Sequence, residues 1–247
     1  MTCHIIVRVI EKTKERGDIL QKRVNTTKLE IIQTASHMIL ENGYSATSIR
    51  AICSRLGIGL GHMTFYFPSK EHLLAELTVM LCDFQWKLLK KEADDGISLL
   101  LAVCLELMTM ASAAEEDEVA RDLFIASYTS PMTLEIIRKN DAIRAKTVFA
   151  EYCSDWTDEQ FTEAEALVSG IEYATLMTTE TSSPLDVRIS GALDTIMKIY
   201  NVPEKIRQKK ISKVLSMDYK NLGRRIFKEF KQYINDVNEQ AFEGLFA

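Results

Sequence analysis

The sequence predicts an all-α protein, and three observations carry that reading. Helix breakers are few, with 4 prolines and 10 glycines in 247 residues. Apolar residues recur at the i, i+3, i+4 and i+7 spacing of one helix face along most of the chain. Strand-type alternation bounded by turn dipeptides is hard to find after residue 26. A composition of 47% apolar and 26% charged residues suits a globular protein, as one large domain or a small domain joined to a bigger one.

Residues 1–25 read as an N-terminal extension of mixed charge with one short apolar run, HIIVRVI. A flexible arm, a short helix and a strand all fit it. Thr27-Lys28-Leu29-Glu30 has the form of a capping box and predicts the start of the first helix. Leu29, Ile32, Ser36 and Ile39 line its inner face, and Asn42-Gly43 stops it. Thr47 is the expected N-cap of a second helix that turns Ile49, Ile52 and Leu56 inward and ends at Gly57. Gly59 opens a third helix of about two turns, which Pro68-Ser69 closes. Ser69 caps a long fourth helix with Leu73, Leu77, Leu81, Phe84 and Leu88 on its inner face.

Beyond Gly96, ISLLLAVCLELMTMA is apolar nearly all round and predicts a central buried helix. Ser130-Pro131 and Ser183-Pro184 each put proline at a first helical position. Thr157 to Gln160 is a second capping box, opening a helix to about Thr179 with Phe161, Leu167, Val168, Ile171 and Leu176 among its apolar positions. Asn201-Val202-Pro203 breaks the chain. Ser216 is the expected cap of a last helix striped by Ile226, Phe230, Ile234 and Val237. The expected organisation is an extension at 1–25, a head at 26–70 and a larger helical body at 71–247.

Five scattered cysteines without a CxxC pair argue against a disulfide framework or a zinc module and for a reducing compartment. No stretch reaches the ~18 uninterrupted apolar residues of a membrane span, so a cytoplasmic protein with no membrane partner is expected. The formal net charge of −5 hides an uneven distribution. Residues 1–70 hold 10 Lys/Arg against 5 Asp/Glu, residues 71–204 hold 10 against 25, and residues 205–231 hold 10 against 2. A basic front on an acidic body is the pattern of a small nucleic-acid-reading head on a larger partner domain. For the basic 205–231 run, a solvated face, contact with DNA, and contact with the acidic body of its own or a partner subunit all remain open.

The stretch LGIGLGHMTFYFPSK, residues 56–70, holds three glycines, a histidine and three aromatics. Two helices joined by a tight glycine turn after a supporting helix make a helix-turn-helix. Its second helix must be short and present small or polar residues to the major groove. Gly59, Gly61 and His62 suit that surface, with Met63 and Phe67 as its buried side.

NGYSATSIRAICSRLGIGLGHMTFYFPSKEHLL resembles the DNA-binding segment of TetR-type (tetracycline-repressor-like) transcriptional regulators. Gly43-Tyr44, Thr47, Ile52, Leu56-Gly57-Ile58, Gly61, Tyr66-Phe67, Ser69-Lys70-Glu71 and Leu73-Leu74 carry the likeness, which extends over roughly residues 26–92. It implies a double-stranded DNA operator as partner, with Arg50 and His62 at base edges. Thr47, Thr64, Tyr66 and Lys70 would lie on phosphates, Gly61 would permit close approach, and Gly59 as the helix cap and Leu60 at a backbone-contact position complete the DNA-facing set. The sequence departs from the family at Gly59, where Ser or Thr is usual, at Leu60, where a polar or basic residue is usual, and at Thr64, where tyrosine is usual.

The same resemblance implies that the body encloses a pocket for an unknown small-molecule effector and dimerises through the helices at about 158–180 and 185–200. Met80, Phe84, Glu106, Met108, Phe124, Tyr128, Phe149, Tyr152, Trp156 and Met177 are the candidate lining. The implied function is a homodimeric repressor that leaves a palindromic operator when ligand binding pivots the fourth helix. The alternative is an all-α small-molecule-binding or interaction protein with a weak or inactive head, which Leu60 and Thr64 favour. No GxSxG, HExxH or phosphate-loop pattern occurs and the four histidines are spread out, so neither an enzyme, a metal site nor a cofactor is expected.

Overall fold

The computed structural model describes residues 19–94 and 96–246, so the expectations for residues 1–18 lie outside the described residues. All described regular structure is helical: α1 (Ile19–Asn42), α2 (Ile49–Leu56), α3 (Leu60–Tyr66), α4 (Lys70–Asp94), α5 (Leu99–Glu116), α6 (Glu118–Thr129), α7 (Pro131–Val148), α8 (Asp158–Leu176), α9 (Leu185–Ile199), α10 (Glu204–Leu215) and α11 (Tyr219–Phe246). The all-α expectation holds.

The head forms where local signals agree. Gly43 takes φ 93° at the end of α1 and Gly57 takes φ 66° after α2, both left-handed conformations that favour glycine. Between them Leu29, Ile39, Ile52, Met63, Phe67 and Leu74 close a small core, each at most 2% exposed. Burial of Met63 alone contributes roughly 1.5–3 kcal/mol. This is what anchors a helix as short as α3, which could not hold its shape in isolation.

Four expectations need correction. Thr27 starts nothing, because α1 already runs from Ile19 and passes through it. Ser48, not Thr47, caps α2, its hydroxyl accepting from the Ala51 amide. Pro184 is the cap before α9 rather than its first residue. Ser216 ends α10, and the following helix begins at Tyr219 beyond Asp218, whose carboxylate accepts from the Asn221 amide at 3.3 Å. At the starts of α2 and α11 a second polar side chain close by accepts from the free backbone amides.

In the body, α5 is the axial element, buried on most sides as its sequence demands, with α4, α6, α8, α9, α10 and α11 packed round it. The Thr157 capping box at the start of α8 forms as expected. The long α11 lies along α5 and reaches α1 of the head and α4. Its approach to α5 depends on Gly223: a Cβ there would sit 2.9 Å from the Thr109 carbonyl oxygen. The basic 205–231 run meets the acidic body of its own chain, through Arg207–Asp194 at 2.7 Å and Arg224–Glu116 at 2.8 Å. Cys53, Cys82, Cys104 and Cys153 are buried and free. Among the described residues no helix is long and apolar enough to cross a membrane.

Candidate nucleic-acid interface and internal cavities

The outer side of α3 is open. Gly59 caps it without a side-chain bond, and a Cβ built on Gly59 or Gly61 would meet nothing within 4 Å. The fold itself therefore makes no demand for glycine at either position. His62, Thr64 and Arg50 are exposed, Leu60 is 49% exposed, and Tyr66 is half-buried with its ring 5.5 Å from that of His62. The Thr64 hydroxyl donates back to the Gly61 carbonyl at 3.3 Å.

Two predicted phosphate contacts are engaged inside the head instead. Thr47 is 2% exposed and its hydroxyl donates to the Gly43 carbonyl at 2.7 Å. The reason is its place in the α1–α2 turn, where a buried hydroxyl must find an internal acceptor. Lys70 donates to the Tyr44 and Thr47 carbonyls at 2.9 and 3.0 Å, with its ammonium 4.0 Å from the Tyr44 ring centre. An ammonium has three donors, so Lys70 keeps one for an outside acceptor and otherwise braces the turn. The Tyr44 hydroxyl beneath it is pushed up to about 12, first by burial and then by Glu71 and Asp122.

The sequence reading missed two features of the head. Phe65 stands 74% exposed on α3, next to Leu60 in type, so the helix offers apolar as well as polar groups to whatever it meets. Asp122, on α6 of the body, takes the Ser45 amide at 2.7 Å and the Ser45 hydroxyl, tying the α1–α2 turn to the body. Lys28 of α1 pairs with Glu76 of α4 at 3.3 Å nearby. Nothing in the spacing of Ser45 and Asp122, 77 residues apart, signals that they meet.

Among the described residues several cavities border α5, and two of them hold aromatic members of the predicted lining. One, of about 400 Å³, lies among α4, α5, α6 and α11 and is walled by Phe84, Glu106, Phe124, Phe227 and Phe230. The other, of about 630 Å³, lies among α5, α7, α8 and α9. Of the predicted lining, Phe84, Glu106 and Phe124 reach the first and Glu106 and Phe149 the second. Met80 and Met108 are sealed in the core at 1% and 0% exposure, Tyr128 bonds Glu172, and Met177 caps α8 on the surface at 41% exposure. Trp156 packs edge-on against Phe161, and neither it nor Tyr152 lines either of these cavities. Helical spacing placed these residues on apolar faces but could not say which faces leave a gap.

The second cavity has a charged floor that sequence reasoning found only in Glu106. Arg144, 5% exposed, forks onto both oxygens of Glu106 and reaches Asp141 at 3.1 Å. Glu165 accepts from the Tyr200 hydroxyl and Glu172 from the Tyr128 hydroxyl at 2.9 Å. Burial, reinforced by Asp141, pushes the Glu165 carboxyl up to about 8 and that of Glu172 well above the ordinary range. Burial also raises Asp141, against the pull of Arg144. Glu165 and Glu172 stand seven residues apart on α8, two turns on one face, which was the available signal. Among the described residues no group of three or more His, Cys, Asp or Glu is placed to hold a metal ion.

Residues 31–77 match the family described as "Bacterial regulatory proteins, tetR family". The matched segment runs from Ile31 in α1 through α2 and α3 to Leu77 in α4, so the helix-turn-helix segment is similar to that family's. No curated protein matches the chain. Solved structures similar to it include full-length native TylP, a tetR regulator from Streptomyces fradiae, at 18% identity and TM-score 0.45, covering 84% of this chain and 99% of that one. Salmonella enterica GusR is similar at 20% identity and TM-score 0.42, covering 72% and 95%. A gamma-butyrolactone receptor is similar at 18% identity and TM-score 0.37, covering 84% and 98%.

Proposed function

We propose that this chain, with its tetR-type head, is a homodimeric transcriptional repressor that binds a palindromic operator and leaves it when a small molecule fills its body. The observation that carries the reading is the outer face of α3, where Gly59 and Gly61 stand open with no internal need for glycine and His62 is exposed beside them, with Arg50 exposed on α2. Space that the protein does not fill suits close approach of a DNA backbone. In this reading Arg50 and His62 take base edges, Thr64, Tyr66 and the remaining donor of Lys70 take phosphates, and Leu60 and Phe65 lie against thymine methyl groups.

The test is a gel-shift series on the DNA flanking the gene itself, from 50 to 200 mM salt. Wild-type protein should shift a discrete fragment, and its affinity should fall steeply with salt. Arg50→Ala should lose about 1–3 kcal/mol on that fragment, roughly 5–150-fold, with little change on unrelated DNA. An absent shift, or one indifferent to salt, favours the second reading: an interaction protein whose α3 presents Leu60 and Phe65 to a protein surface.

Release follows from the contacts between body and head. The second cavity is bounded by α5, α7, α8 and α9, and α6 packs on three of these helices, α5, α7 and α8, while holding Ser45 through Asp122. A ligand that prefers a shifted α6 and a pivoted α4 changes the spacing of two heads, and ~1–3 kcal/mol of coupling suffices for ~5–150-fold release. For the dimer, α8 and α9 expose Leu167 and Val187, each at 55%. Native mass spectrometry should show two copies, and Leu167→Lys should shift the population to one; a wild-type monomer at micromolar concentration would defeat the two-half-site arrangement.

A further inference from the structure

The cavity among α5, α7, α8 and α9 has an unbalanced lining. Glu106, Cys104 and no cation face it from α5; Asp141 and Arg144 face it from α7; Glu165 and Glu172 face it from α8. From α9 come Leu193, Ile196 and Met197, followed by Tyr200, and none of these carries charge at neutral pH. Arg144 meets two carboxylates at once, Glu106 and Asp141, so its single charge is already outweighed. Glu165 and Glu172 have only tyrosine hydroxyls as partners, Tyr200 and Tyr128, which donate hydrogen bonds but bring no positive charge. The Nε–H of Arg144 is also buried without an acceptor, an unmet donor in the same wall.

The rest of the wall is apolar and aromatic. Val103, Leu107, Val168 and Met197 line it, and Phe149 stacks on Tyr200 with ring centres 3.9 Å apart.

We infer that this cavity takes an organic cation, an amine or amidinium on an apolar frame, with its charge seated between Glu165 and Glu172 and an acceptor atom toward Arg144. An anion would meet the two carboxylates that already outweigh the charge of Arg144, and an inorganic cation lacks a converging ligand set among the described residues. This inference rests on the reading of the body as the effector-binding half. Burial favours the protonated form of Glu165, held up to about 8, and shifts Glu172 in the same direction, so an entering cation displaces protons from this wall. Cation affinity therefore rises with pH up to about 8, the value near which Glu165 gives up its proton unaided.

The experiment is calorimetry on the full chain without DNA, using 4-phenylbutylamine, 4-phenylbutanol and 4-phenylbutyrate. The amine should bind at least tenfold more tightly than the alcohol at pH 8, the carboxylate weakest, and heats in two buffers should show proton release. A permanently charged probe, 4-phenylbutyl-trimethylammonium, should gain about tenfold in affinity between pH 6.5 and 8.5. Glu172→Gln, an isosteric change to the already neutral form, should cut the preference for amine over alcohol to a few-fold and leave alcohol binding as it was. An amine that binds no better than the alcohol, including one that does not bind at all, overturns the inference, as does a Glu172→Gln protein that keeps the full preference. Because DNA is absent, a bound amine that fails to release the operator in a separate gel shift counts against the proposed repressor mechanism and leaves the cation site standing.

Discussion

Arg144→Met is expected to destabilise the protein by about 3–5 kcal/mol at pH 7.5. The guanidinium is 5% exposed and supplies the cavity's sole positive side chain among the described residues, forking onto Glu106 and touching Asp141. Methionine fills much of the volume, so the loss is electrostatic: two carboxylates stay in a low-dielectric wall with no counter-ion. The dependence on pH follows from the sign of the shift. Burial already raises Asp141 in the presence of Arg144, and removing the cation raises it further. The native variant then holds protons that the unfolded chain has released, so its deficit shrinks as pH falls toward the ordinary carboxylate range. Urea unfolding of both proteins at pH 5 and 7.5 measures this. A deficit below 1 kcal/mol, or one that does not shrink at pH 5, would show that Arg144 is not the counter-ion of this wall.

Glu165→Gln should have the opposite sign. The carboxyl is 4% exposed and is held up to about 8 by burial first and by Asp141 second. Between the unfolded value near 4.5 and about 8 the native state keeps a proton that the unfolded state loses, so wild-type stability falls as pH rises across that window. Glutamine does not titrate, and its carbonyl still accepts from the Tyr200 hydroxyl. Its advantage is therefore absent below pH 4.5 and grows to as much as about 4 kcal/mol by pH 8, at ~1.4 kcal/mol per tenfold change. Thermal unfolding from pH 4 to 8.5 should show the two curves diverging; parallel curves would mean that Glu165 ionises freely in the native protein. The pair of variants separates two kinds of buried charge, one that needs its cation and one that lacks it.

Much of this molecule is legible locally. The head was readable because its determinants lie within a few residues of each other: Gly43 and Gly57 at left-handed stops, Met63 and Phe67 on the inner side of a two-turn helix, Ser69 ahead of α4. The outward placing of Gly61 and His62 followed from their small or polar character on a short helix, and that of Arg50, Leu60 and Thr64 from the family resemblance. Thr27 misled because a capping box is a local preference worth about 1 kcal/mol, which a helix continuing upstream overrides. Thr47 and Lys70 show a different limit: helical spacing gives no sign that the α1–α2 turn takes up the Thr47 hydroxyl and two of the three Lys70 donors.

By itself the sequence determined the helical class, most helix boundaries and which short helix faces outward, since hydrogen bonds and side-chain phase in a helix join residues three or four apart. The tertiary structure alone decided which charges meet: Arg144 with Glu106, 38 residues away, Tyr200 with Glu165, 35 away, and Ser45 with Asp122, 77 away. It also decided that α11 returns along α5 to the head through the space left by Gly223. Such pairings depend on how whole helices pack, and a gap between helix faces is a property of their joint shape that no single face carries.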